Sequence, residues 1–360
     1  MKRLFLLAFP LLVASCISIT TTATTGLLPR HGHATVLVDG AFLVMTGSNS
    51  TEEFRDYLHP NLVRDFVSST DGVTWSTVMP LGPFYGTGSA ALCVDGRVIA
   101  NAGAMDVGSP SDIIPNFDTT IFSNATGGSP PWGVFGVMPD HLSHYGLAYF
   151  HGRYWILGGN RGAADESLPY GSANIALSNA VYSRAEPDST WTQVLPNQVD
   201  PARWGPRDGL AVVVFQDKLW VLGGRAVVDP YALPSEPNHF RSMGDVWSSP
   251  DGRNWTLVPQ GGDSTRWEAL GRAFHQVVVL DNALYLTGGF EQNPKYAYDT
   301  RIVRNDIQRS VDGSHWYRVA TFSEGRYDHT ATVKGGSIYL IGGRDASQVF
   351  SDVVIYTPFP

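Results

Sequence analysis

Apolar residues in this chain fall in short runs rather than at helical spacing, and one arrangement of those runs recurs six times. Each copy has an apolar strand, a tight turn, a second apolar strand ending in glycine, a variable insert and a third strand. The second strands read AFLVMTG to Gly47, RVIANAG to Gly103, RYWILGG to Gly159, KLWVLGG to Gly224, ALYLTGG to Gly289 and SIYLIGG to Gly343. A fourth, tryptophan-bearing strand follows in five copies, with Trp75, Trp132, Trp191, Trp255 and Trp316 spaced about 60 residues apart. One such unit cannot bury its own apolar faces, so this period predicts stacked supersecondary units. Four strands per unit make a blade. The pattern therefore predicts an all-β fold, a six-bladed β-propeller of four-stranded antiparallel blades. Strands rich in Val, Ile, Leu and Tyr fit sheets covered on both faces by neighbouring blades.

The turn residues support the same arrangement. Paired glycines let the backbone leave a strand through dihedrals that a β-carbon forbids. Asp-Gly pairs at Asp71, Asp251 and Asp312 suit tight hairpins between third and fourth strands. The last copy ends at SDVVIYTPFP with no tryptophan strand. A blade of three strands leaves an unpaired edge, and the β-branched stretch from Ile17 to Thr25 is expected to fill it. The other reading of residues 16–29 is a Thr-rich tether.

The Gly-Gly pairs at Gly158-Gly159, Gly223-Gly224, Gly288-Gly289 and Gly342-Gly343, the segments Asp245-Val246-Trp247 and Asn305-Asp306-Ile307, and tryptophans such as Trp255 and Trp316 resemble the kelch repeat. The first two copies depart from it, since Ser48 follows Gly47 and Ala104 follows Gly103. The resemblance implies the propeller but not a function, because this fold hosts oxidases, mutarotases and adaptors that catalyse nothing. SSTDGVTW, SSPDGRNW and SVDGSHW resemble the Asp-box of sialidases, one residue short, and read here as structural turns. A Phe-Arg-Ile-Pro segment, which a sialidase would need, does not occur.

Lys2 and Arg3 followed by the apolar Leu4 to Val13 form a targeting segment, too short to cross a bilayer as a helix. Val13-Ala14-Ser15-Cys16 resembles a bacterial lipobox, which makes residues 1–15 a signal peptide and Cys16 the lipidated residue. The expected location is extracytoplasmic, lipid-anchored to the cell envelope. The alternative is a secreted protein whose triplets Asn49-Ser50-Thr51, Asn124-Ala125-Thr126 and Asn254-Trp255-Thr256 accept glycans. Residues 30–360 form the propeller. Cys93 is the only other cysteine, so the fold rests on its core. It reads as a small buried hydrophobe, and the cysteine–tyrosine and histidine set of the copper oxidases of this fold is not assembled around it. No cofactor and no metal are expected. A net charge of −8 without a basic stripe argues against nucleic acid.

Function in a propeller sits where loops from all blades converge on one mouth. The turns entering the inner strands read Arg30-His31-Gly32-His33, Phe84-Tyr85-Gly86-Thr87, His141-Leu142-Ser143-His144, Arg207-Asp208-Gly209, Arg272-Ala273-Phe274-His275 and Arg326-Tyr327-Asp328-His329. Converging guanidiniums bind carboxylates bidentately. In kelch adaptors, which this repeat resembles, arginines at this turn line the pocket for acidic peptides. The candidate ligand-binding set is Arg30, Arg207, Arg272, Arg326, His33, His144, His275 and His329. The competing reading is packing, since a role repeated in every blade is more naturally structural. The inserts after the glycines carry Glu52, Glu53, Asp56, Tyr57 and His59 in the first blade. They carry Tyr231, His239, Phe240 and Arg241 in the fourth, and Glu291, Tyr296, Tyr298 and Asp299 in the fifth. Aromatics among hydrogen-bonding groups suit a sugar or a peptide. No nucleophile, base and orienter assemble from spacing. The sequence thus reads as a monomeric, non-enzymatic binding or protein-interaction module at the cell surface, taking a protein or acidic glycan ligand. The alternative is a carbohydrate-active enzyme resembling the kelch sialic-acid mutarotases.

Overall fold

A computed structural model describes residues 18–51, 61–83, 85–101, 103–105, 116–117, 120–124, 132–140, 142–161, 177–185, 190–227, 240–261, 271–292 and 301–358. These residues form six four-stranded antiparallel sheets and no helix. Blade one is Ala34–Val38, Ala41–Met45, Phe66–Ser69 and Ser76–Met79. Blades two to five repeat this order from the inner strands Ala90–Val94, Gly146–Phe150, Ala211–Phe215 and Gln276–Leu280. Blade six holds Thr330–Lys334, Ser337–Ile341 and Val353–Thr357. The inner strands neighbour one another in sequence order, and the last lies against the first, so the blades close a ring around one axis.

The fourth strand of blade six is Ser18–Thr22 from the chain start. It runs antiparallel to Val353–Thr357, with Ser18 opposite Thr357 and Thr22 opposite Val353. Ile17 lies outside the described residues; Ile19 packs into the core shared by blades five and six. The chain then crosses to blade one, where Thr25 exchanges backbone hydrogen bonds with Val73 and Trp75. One short segment thus joins the last blade to the first.

The core lies between blades, as the two-sided apolar strands require. On the face away from the Gly-Gly inserts, the Asp-Gly turns seal the seams. The Asp71 carboxylate accepts from the amides of Val73 and Thr74 at 2.7 and 2.8 Å, while Ser69 Oγ accepts from Gly72 N. The same bonds recur at Ser249–Asn254 and Ser310–His315. These amides hold the Asp71 carboxyl at about 2, and the His315 and Ser314 amides bring Asp312 to about 2 against the upward push of desolvation. Each turn glycine sits on the second strand of the preceding blade. A Cβ on Gly252 would lie 2.2 Å from the Trp155 ring, one on Gly313 2.3 Å from Trp220, and one on Gly72 3.0 Å from Tyr339. The indoles of Trp75, Trp255 and Trp316 close the turns by donating to the carbonyls of Gly72, Gly252 and Gly313. Cys93 packs half-buried at the seam of blades one and two, where burial raises its thiol.

Deleting residues 18–22 removes five paired positions and exposes the edge at Val353–Thr357. At a net of about 1 kcal/mol per hydrogen bond, the loss is on the order of 3–5 kcal/mol. Thermal denaturation of the truncated protein should show a lower midpoint and faster aggregation. A midpoint equal to that of the full protein would mean that this strand does not carry closure.

Candidate binding site at the channel mouth

One residue in each entering turn adopts the left-handed conformation: Gly32 (φ 59°), Gly88 (φ 68°), His144 (φ 50°), Gly209 (φ 56°), Phe274 (φ 54°) and Asp328 (φ 58°). The turn points the backbone across the axis, and the amides and carbonyls join in a cycle. Gly32 N donates to Asp328 O, Asp328 N to Phe274 O, Phe274 N to Gly209 O, Gly209 N to His144 O, and His144 N to Gly88 O; Ser89 N closes the circle on Gly32 O. The bonds span 2.8 to 3.1 Å. Three positions are glycine and three carry side chains, each lodged over a neighbouring glycine. A Cβ on Gly88 would lie 2.6 Å from the His144 ring, one on Gly209 2.6 Å from Phe274, and one on Gly32 3.2 Å from the Asp328 carboxylate.

Those three side chains meet at the axis. Asp328 Oδ2 lies 2.8 Å from His31 Nδ1, and Oδ1 lies 3.7 Å from His144 Nε2, which comes from the opposite blade. Nε2 of His31 faces the Ser50 carbonyl at 2.9 Å. A carbonyl only accepts, so this nitrogen is the donor in that contact. Burial alone would raise the Asp328 carboxyl, but the His144 and His31 imidazoles facing it hold it well below the usual carboxylate range. The Phe274 ring meets His144 edge-on at 5.1 Å.

The four candidate arginines are not part of this opening. Arg30, Arg207, Arg272 and Arg326 are 0–3% exposed, and each is bound inside its own blade. Each Nη1 donates to the carbonyl 16 residues later, on Thr46, Gly223, Gly288 and Gly342. Each guanidinium also pairs with a carboxylate at the start of the third strand. Arg30 meets Asp65 at 2.8 Å, and Arg207, Arg272 and Arg326 grip Asp245, Asp306 and Asp352 with two hydrogen bonds apiece. Their Nη groups brace the second strand to the third inside the blade, which corrects the expectation of a ring of ligand-binding arginines.

The histidines divide. His33, His275 and His329 are buried at blade seams, each ring against the first glycine of the preceding blade's pair. A Cβ on Gly342, Gly223 or Gly288 would stand 2.7–3.0 Å from these rings. His329 Nε2 bonds Thr287 Oγ1 at 2.9 Å, and His33 Nε2 bonds Thr330 Oγ1 at 3.0 Å. Burial, then the adjacent Arg326 guanidinium, pushes the His329 imidazole down to about 3. Burial with Arg30 or Arg272 lowers His33 and His275 well below the usual histidine value. They are neutral packing groups, not ligand contacts. His144 alone of the four faces the mouth. Spacing misplaced it, because blade three is shifted by one residue: Leu142 takes the arginine position, Tyr145 the histidine position and His144 the left-handed one. The bridges of Ser143 with Asn160 and of His31 with Ser48 fix this register. His141 lies outside the described residues, as do Cys16, residues 52–60, Tyr231, His239, Tyr296, Tyr298 and Asp299.

Around the axis, the inserts of blades four and five rise on short ribbons, Arg225–Val227 with Phe240–Ser242 and Phe290–Glu291 with Ile302–Val303. They frame an aromatic cluster in which Phe274 stacks on Phe290 at 5.4 Å and Phe290 meets Tyr327 edge-on at 5.1 Å. Guanidiniums lie on these rings: Arg225 is 5.0 Å from Phe274, Arg301 5.3 Å from Phe290, and Arg344 5.2 Å from Tyr327. Arg225 is also held by Asp208, and Arg304 by Glu291. Sequence reasoning picked out Glu291 and Phe240 but missed Arg225, Arg301, Arg344 and Asp328. The position directly after each glycine pair was the available signal, since it carries arginine in two blades.

Comparison with known proteins agrees with this geometry. Residues 325–358 match the Kelch motif. Kelch domain-containing protein 3 of Rattus norvegicus is 22% identical over 53% of this chain and 52% of its own length. Beta-scruin of Limulus polyphemus is 24% identical over 61% of this chain and 27% of its own length. The chain carries a kelch motif and is similar in sequence to kelch-repeat proteins. This kelch propeller spans about half the length of Kelch domain-containing protein 3. Among solved structures it superposes on that titled "Structure of YjhT" with a TM-score of 0.67, covering 94% of this chain and 97% of the other at 14% identity, a likeness of fold alone.

Removing one partner of a buried ion pair strands the other, so Arg272→Ala should cost about 3–5 kcal/mol. Urea denaturation checks this, and a loss below about 1 kcal/mol, the range of an exposed pair, would contradict the brace. The seam histidines give a second prediction. They stay neutral when folded but take a proton when unfolded, so each withdraws stability as pH falls below about 6.5, by up to about 1.4 kcal/mol per pH unit. Below about 4, the depressed Asp245 and Asp306 carboxylates add a further loss as they are protonated. Melting curves should already decline between neutral pH and 5, less steeply in His329→Gln. A flat profile there would mean these histidines titrate normally.

Proposed function

We propose that this kelch propeller is an exported ligand-binding or protein-interaction module, held at the cell surface by a lipid on Cys16, whose mouth takes an acidic glycan or an acidic protein segment. The observation that carries this reading is the layer of guanidiniums on the Phe274–Phe290–Tyr327 cluster, framed by inserts on one face only. A guanidinium on an aromatic face keeps its charge while its orientation is restricted, which suits bidentate recognition of a carboxylate. Arg301 is the residue best placed to do this, being less buried than Arg344. Kelch propellers typically serve as interaction modules, and no nucleophile with its base and orienter stands among the described mouth residues.

A second reading, a carbohydrate-active enzyme, draws support from one observation. A carboxylate and two imidazoles meet at the mouth, where proton transfer to a bound sugar would take place. Turnover of anomerically pure sugars, lost in Asp328→Asn, would favour the enzyme; a wild type without turnover would leave the binding module.

Binding of the purified ectodomain to arrays of acidic glycans and acidic peptides tests the main reading. Arg301→Ala should weaken capture by about 1–3 kcal/mol, and raised salt should weaken it further. Capture that ignores both changes would refute an anion-reading mouth. For the anchor, Cys16→Ser in a bacterial host should move the protein from the membrane to the soluble fraction. Unchanged fractionation would remove the lipid from the proposal.

A further inference from the structure

The axial notch between blades three and six is unlike the rest of the mouth, because its two polar atoms face each other as a long ion pair with no short hydrogen bond between them. Asp328 Oδ1 and His144 Nε2 stand 3.7 Å apart, beyond hydrogen-bond range. Both side chains are largely covered, at 11% and 14% exposure. Neither can easily swing away. Asp328 is pinned through its other oxygen by His31, and His144 is wedged between Gly88 and the Phe274 ring.

We infer that this notch is a hydroxyl-binding subsite, and that the ligand of the mouth is polyhydroxylated, with one hydroxyl seated between Asp328 and His144. The inference rests on the mouth being the ligand face and names the chemistry at its floor. One oxygen can lie within hydrogen-bond distance of both atoms, donating its proton to Oδ1 and accepting from Nε2–H. A hydroxyl is the group that does both. A carboxylate only accepts and is repelled by Asp328, and an ammonium only donates and leaves the Nε2 proton unmet. The Phe274 ring beside His144 offers the apolar face that a sugar ring packs against.

Two substitutions test the notch without breaking the axial ring. Asp328→Asn keeps shape and tolerates left-handed backbone, and His144→Phe places at one ring position the residue that Phe274 already carries at another. The ectodomain is titrated with glucose, galactose and mannose, with methylamine and acetate as comparison probes, and the His144 ring signals are followed by NMR. At least one neutral sugar should shift the His144 signals saturably, and Asp328→Asn should weaken that response about tenfold or more. His144→Phe should abolish the same sugar's binding by calorimetry. Three results would overturn the inference: no sugar response at His144, an equal response to methylamine or acetate, or sugar binding unaffected by both substitutions. Loss of capture in Arg301→Ala with unchanged behaviour in Asp328→Asn would keep the mouth as the ligand face and remove only the hydroxyl subsite.

Discussion

Six backbone hydrogen bonds circling the axis set the geometry on which the rest of this propeller depends. Each links the entering turn of one blade to that of the next, and each needs a left-handed residue to aim its amide and carbonyl sideways. Such a conformation is inexpensive for glycine and disfavoured for histidine, phenylalanine or aspartate. Glycine at three turns therefore leaves room for the side chains of the other three. Strain at His144, Phe274 and Asp328 is offset by packing over those glycines, and in return three side chains reach the axis where only backbone would otherwise stand. The same economy of space that closes the ring also builds its polar floor.

Charge follows from this scaffold. Where a turn enters the inner strand, four blades place a buried arginine whose donors are divided between one carbonyl and one third-strand aspartate. A buried pair of this kind adds little net stability against an apolar substitute, but it fixes which groups meet, and it fails badly if halved. It also removes four cations from any ligand's reach. The proposed recognition rests instead on guanidiniums laid on aromatic rings, those of Arg225 and Arg344 just beyond the glycine pairs and of Arg301 near the base of an insert.

The blades were legible from the chain because their cause is periodic. Glycine pairs, Asp-Gly turns and tryptophans recur where the same backbone problem recurs, and the strand that closes blade six could be placed by asking where a partner was missing. The site was less legible, for two physical reasons. Repetition made Arg30, Arg207, Arg272 and Arg326 conspicuous, yet repetition is the mark of a packing role. Their partners were in view as well: Asp245 and Asp306 had been picked out with the third strand. Blade three has Leu142 in place of arginine, and there Asn179 of the third strand donates to the carbonyls of Gln198 and Trp204. Asp328 and His144 were hidden for the opposite reason. They occupy a position that is glycine in three blades, so their importance lies in departing from the pattern, and a shift of one residue in blade three concealed that they share it.

Native-state hydrogen exchange is the most direct test of the axial ring. The amides of Gly32, Ser89, His144, Gly209, Phe274 and Asp328 belong to one closed cycle, and none can open without breaking a blade-to-blade contact. They should exchange last and together, with an opening free energy equal to that of global unfolding. Amides that exchange early, or at six unrelated rates, would show that the blades are held by their apolar seams alone and that the axial ring is a consequence of closure instead of its cause.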